Sequence, residues 1–158
     1  MKTLRISAAA VLCAASLAAV ATPPPRSGAA DAIVGVWEFQ VNLVSCDTGQ
    51  TVRRLRAATL FNAGGTLLDT NVAPPSTRGP AFGVWRYEPR SRRYEIDKRF
   101  YRYNPDGSFA GVTQIHRSLA LDDEGDGMTG TIRTEFLGPN EELQSIGCGT
   151  ETGTRALD

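Results

Sequence analysis

From Trp37 onward the stretch Gly35-Val36-Trp37-Glu38-Phe39-Gln40-Val41-Asn42-Leu43 alternates strictly, with Trp37, Phe39, Val41 and Leu43 on one side and Glu38, Gln40 and Asn42 on the other. A period of two marks a strand with one face against a core, so the Trp37 side points inward. Working outward, similar runs recur along the chain and no stretch sustains a 3.6-residue period. Strands are predicted over 33–45, 51–62, 66–72, 82–88, 93–103, 108–120, 128–138 and 142–156.

Turn chemistry separates these runs: Asp47-Thr48-Gly49, Ala63-Gly64-Gly65, Asn104-Pro105-Asp106-Gly107, Gly138-Pro139-Asn140 and a longer Pro74 to Pro80 loop. Glycine and asparagine tolerate positive φ, and proline presets φ. About eight strands joined mostly by short hairpins predict a single antiparallel up-and-down meander, which loses its edges only by closing into a barrel. There is an internal echo: Gly35 to Phe39 recurs as Gly83 to Tyr87, and Phe61 to Leu67 recurs as Tyr103 to Phe109. Either a duplicated meander or repeated use of good hairpin chemistry explains it.

Lys2 and Arg5 precede an apolar, alanine-rich run ending in Ala19-Val20-Ala21, the order of a secretory signal peptide. Residues 1–21 are expected to leave on export to the periplasm or beyond, with no membrane anchor retained. Residues 22–30 have the Pro/Ala-rich composition of a linker, and 31–158 form the barrel domain. The chain carries 17 basic and 17 acidic residues without a block of like charge, which argues against a nucleic-acid partner. Of its three cysteines, Cys13 falls in the leader. Cys46 and Cys148 then read as one disulfide, which by the chain-entropy argument stabilises by roughly 4 to 5 kcal/mol.

Gly35-Val36-Trp37 near the start of the first strand resembles the Gly-x-Trp signature of the calycins, the superfamily of lipocalins, fatty-acid-binding proteins and avidins. The resemblance implies a lipocalin-like barrel with Trp37 at its closed end and a late arginine, here Arg155, packed across the indole. Cys46, just beyond the first strand, and Cys148, in the last, would then pin the seam.

Local catalytic signatures are absent: the sequence has no Gly-x-Ser-x-Gly elbow, phosphate loop or zinc motif, and no cofactor or metal is expected. His116, the one histidine, shares strand parity with Gln114 and Ser118, opposite Ile115, Arg117 and Leu119. Facing the lumen, Gln114 and His116 could orient a ligand or supply a general base; facing solvent, they would not. Phe39 and Trp85 are candidate aromatic contacts. In the fifth strand Arg99, Tyr101 and Tyr103 alternate with Lys98, Phe100 and Arg102, and Arg133 and Glu135 stand in the seventh. One of these faces can present a buried cation with aromatic walls, and parity does not choose between them. Asp122 to Gly127 has the opening of a calcium loop, but Arg133 stands where its last acid belongs, which favours a solvated turn.

These features predict an exported barrel holding a small hydrophobic molecule in its lumen. Two alternatives remain. One is a cofactor-free isomerase or cyclase of the allene-oxide-cyclase barrel type, using His116 or Tyr101. The other is a protein-binding or inhibitory module acting through the Pro74 to Pro80 loop.

Overall fold

The computed structural model describes residues 28–157. The expected signal peptide and residues 22–27 of the linker lie outside the described residues. Gly28–Asp31 forms one short helical turn, α1. The linker composition predicted no structure there. Eight strands follow: β1 (Gly35–Val44), β2 (Thr51–Phe61), β3 (Thr66–Asn71), β4 (Ala81–Glu88), β5 (Arg93–Tyr103), β6 (Phe109–Leu121), β7 (Gly127–Leu137) and β8 (Leu143–Leu157). Each pairs antiparallel with the next, and β8 returns to β1, closing the barrel. Their ends agree with the predicted spans to within a residue or two, the scatter expected of strand boundaries. A short 3-10 turn at Pro75–Thr77 in the β3–β4 connection was not anticipated.

The inward set of β1 matches its alternation: Trp37, Phe39 and Val41 are buried, while Glu38 and Gln40 are exposed. The barrel's closed end is plugged by Trp37, Ile33, Phe61, Leu67, Tyr94 and Leu119, all 2 % exposed or less. The Trp37 indole N–H donates to the Ile33 carbonyl at 2.7 Å. The Arg155 guanidinium carbon lies 4.2 Å from the centre of the Trp37 ring. Its nitrogens donate to the carbonyls of Val34, Ala32 and Gly125 at 2.8–3.0 Å. One side chain thus covers the indole and ties the incoming chain to the β6–β7 turn. Gly35 is required for this approach: its φ is +130°, and a Cβ there would stand 2.9 Å from Arg155 Nη1. Further up β8, a Cβ on Gly153 would meet the Phe39 ring at 2.6 Å, so glycine on β8 makes room for the aromatic of β1.

The internal echo has a structural counterpart in the turns. Asn62 and Asn104 each donate their backbone N–H to the residue four ahead, at 2.9 Å, and each side-chain amide bonds the hydroxyl of that same residue, Thr66 or Ser108. One hairpin lies at the closed end and the other at the open end. At the seam, Cys46 and Cys148 are bonded across Cα atoms 5.2 Å apart, joining positions separated by 102 residues.

Trp37→Ala should cost about 3–5 kcal/mol as a large-to-small core change. Arg155→Ala should cost less, and a double-mutant cycle in urea should show coupling between them; additivity would mean that the contact contributes nothing. Reducing the Cys46–Cys148 bond should lower the melting temperature in a calorimetric scan without changing the far-ultraviolet spectrum.

Candidate functional site: the charged layer and open half of the lumen

Above the plug, the inner wall changes from apolar to charged. Thr59 of β2, Asp69 of β3, Lys98 of β5, Arg117 of β6 and Glu151 of β8 all take inward positions and are all buried. Lys98 Nζ donates to Asp69 at 2.6 Å, and the Thr59 hydroxyl donates to the same carboxylate oxygen at 2.8 Å. Arg117 grips Glu151 with two nitrogens, at 2.6 and 2.8 Å, donates a third bond to Thr59 Oγ1 at 3.2 Å, and lies 4.2 Å above the Phe39 ring. Desolvating such ions costs several kcal/mol each, which only close pairing with further hydrogen bonds offsets. Burial opposes ionisation of Asp69, but Lys98 and Arg117 outweigh it and hold the carboxyl below the ordinary aspartate value. Burial pulls the Lys98 ammonium below the usual lysine range, with Asp69 opposing.

Between this layer and the open end lies a cavity of about 70 Å³, with Leu43, Leu55, Phe100, Ile115 and Ile132 as walls and Asp69, Lys98 and Arg117 as floor. At ~30 Å³ per water it is the size of two waters, well short of the ~300–1,000 Å³ of drug-sized ligand sites. The β3–β4 connection docks on the open end of β5. Gly79 N–H donates to the Tyr101 carbonyl at 2.9 Å, and Arg78 forms a lone antiparallel bridge with Arg102. The Arg78 side chain is buried, with its guanidinium carbon 4.1 Å over the Phe100 ring and Nη2 3.8 Å from Asp69.

Phe39 faces the lumen beneath Arg117, and Trp85 faces it at the closed end, where its indole N–H donates to the carbonyls of Asn62 and Thr66 at 3.1 Å. The lumen-facing alternative for Gln114 and His116 does not hold. Over residues 114–121 of β6 the buried side chains are Arg117 and Leu119, so His116 lies on the outer wall. There its ring bonds Asp97, which also pairs with Arg86 at 3.6 Å, and Gln114 approaches it at 3.5 Å. His116, Asp97 and Arg86 border a depression of about 290 Å³. Tyr101 is also on the outer wall, between Phe82 and Phe109. The β5 ambiguity is resolved the same way: Lys98 and Phe100 point in, while Arg99 and Tyr101 point out. Arg133 and Glu135 pair with each other on the outside.

A larger depression of about 560 Å³ lies at the closed end, between α1 and the Asp122–Gly125 turn. Of its polar groups, Tyr94 donates to the Ala29 carbonyl, and Asp122 accepts from the Gly125 and Asp126 backbones at 2.8 and 3.1 Å. The turn's carboxylate therefore closes its own loop.

Sequence reasoning passed over Asp69, Arg117, Glu151 and Arg78. The signal was parity: Arg117 alternates with Ile115 and Leu119, and Asp69 with Leu67. A charge at an inward position of an apolar strand needs a partner on another strand.

Glu151→Ala leaves Arg117 buried and unpaired, and should cost about 3–5 kcal/mol in chemical denaturation. Replacing both partners by Leu and Met should restore most of that loss. Asp69, whose folded value lies below its ordinary 3.8, contributes stability that is complete above that value. The contribution is lost as pH falls through the lower folded value. Asp69→Asn should flatten the stability curve as pH falls below about 4, measured by urea titration.

No protein-family model matches the chain and no curated protein matches its sequence; the closed eight-stranded antiparallel meander is compatible with a lipocalin-like fold.

Proposed function

We propose that this is an exported lipocalin-like binding barrel that takes a small ligand through its open end into the half-lumen above the charged layer. The observation that carries this reading is the enclosed cavity with apolar walls and a floor of Lys98, Asp69 and Arg117. The closed half is packed by Trp37 and its neighbours. The Gly35-Val36-Trp37 approach and the Arg155 stack support calycin kinship, and the Cys46–Cys148 bond is in keeping with an oxidising compartment.

The cavity volume narrows the expected small hydrophobic molecule to one of a few heavy atoms, and the charged floor asks for a polar end. The cyclase alternative loses its residue-level support, because His116 and Tyr101 lie outside the lumen and no substrate in the barrel would touch them.

Native mass spectrometry of protein purified from its own host, followed by organic extraction, tests the reading. A small bound molecule, lost when Ala57→Leu fills the cavity, is the expected result. Unchanged occupancy in Ala57→Leu would place the ligand elsewhere, and an empty barrel under every extraction condition would leave the charged layer with a structural role alone.

A further inference from the structure

The lumen's charges do not balance. Above the closed-end plug, the buried ionic residues among those described are Arg78, Lys98 and Arg117 against Asp69 and Glu151. Glu151 is taken by the two-pronged Arg117 contact and Asp69 by Lys98 at 2.6 Å. Arg78 is left with a 3.8 Å approach to Asp69, which is too long for a hydrogen bond. Its Nε donates to the Gly79 carbonyl at 3.2 Å, while Nη1 and Nη2 are buried and donate to no protein atom.

Two further buried atoms at the same end lack partners, Thr113 Oγ1 and the Nε of Arg102, whose Nη2 is held by the Leu137 carbonyl at 2.7 Å and Gln144 Oε1 at 3.3 Å. Arg102 is bridged to Arg78, so the two side chains share a face. Thr113 is the register partner of Phe100, the ring beneath Arg78. Buried donors are seldom left unmade, because each costs about 1–3 kcal/mol and more when charged. Here three residues with unmade bonds converge on one mouth, and the unbalanced charge there is positive.

We infer that the open end recognises the acid group of a small carboxylate. Arg78 and Arg102 are the cationic clamp, Thr113 supplies a hydroxyl, and a short apolar tail enters the 70 Å³ cavity. A planar guanidinium with two free parallel N–H groups matches a carboxylate's two oxygens. None of the three clamp residues lines the cavity, but Arg78 approaches Asp69 and Phe100, which do, so head group and tail would be contiguous. The Val72–Pro80 connection carries Arg78 and thereby couples binding to the strap over the mouth. This inference rests on the open half-lumen being the binding site and adds the chemical class of its occupant.

The test is a thermal-shift and calorimetric series on the full mature chain, using linear monocarboxylates from acetate to hexanoate. The chain-matched neutral amides and sodium sulfate serve as comparison arms. Expected is a concentration-dependent rise in melting temperature for the acids that peaks at a tail of about two to four carbons and is at least tenfold weaker for the amides. Arg78→Met should abolish the response while leaving the unliganded melting temperature unchanged or higher, since it removes a buried charge without a full partner.

Equal responses to acids and amides would overturn acid recognition and leave lumen binding standing. A sulfate response equal to the best acid would reduce the site to an adventitious ion only. A fall in unliganded stability in Arg78→Met, with the acid response retained, would make Arg78 a structural cap on Asp69 and overturn the assignment. No response to any acid, amide or sulfate, together with an empty barrel from the native host, would remove both the inference and the binding reading beneath it.

Discussion

The pairing of β1 with β8 is the constraint on which the rest of this structure depends. An open eight-stranded meander would expose two edges to solvent and to other chains, and closure removes both. The same register that closes the barrel sets Trp37 beside Arg155 at one end and Val44 beside Cys148 toward the other. The indole–guanidinium contact and the disulfide therefore act on one seam. A slip of one residue would turn Trp37 outward and Glu38 into the core, so the apolar alternation of β1 protects the register.

Closure creates an interior that side chains must fill, and this protein fills its two halves differently. The closed half is an apolar core around two tryptophans whose N–H groups are capped by nearby carbonyls. The middle is an ionic layer drawn from four strands, which fixes those strands relative to one another more narrowly than apolar contacts would. Removing any one of its members leaves another charge stranded. The open half is incompletely filled. Its remaining void lies between the ionic floor and a strap whose arginine has fewer partners than donors.

The strand pattern was legible because each strand has one wet face and one dry face, and alternation records that directly. Turn chemistry at Asn62 and Asn104 was legible for a similar local reason, since the bonds that close those turns lie within four residues. Trp37 and Arg155 were legible as a pair through a known resemblance. The position of His116 was not, because Arg117 on the alternate face looks as surface-bound as any arginine until Glu151, 34 residues away, is placed opposite it. The same difficulty hid Asp69 and Lys98. A charged residue at an inward site reads as an error in the pattern unless its partner is known, and that partner lies on another strand.

What the sequence by itself determined was the class of fold, the number and limits of the strands, the inward face of β1 and the cysteine pair, all of which follow from short-range periodicity and composition. What only the tertiary structure decided was which charges are inside, how they pair, and that the void sits at the open end beneath Arg78. Those properties depend on contacts between residues far apart in the chain, 29 positions for Lys98 and Asp69 and 58 for Arg117 and Thr59. Barrel closure brings such residues together, and no local pattern encodes the distance between them.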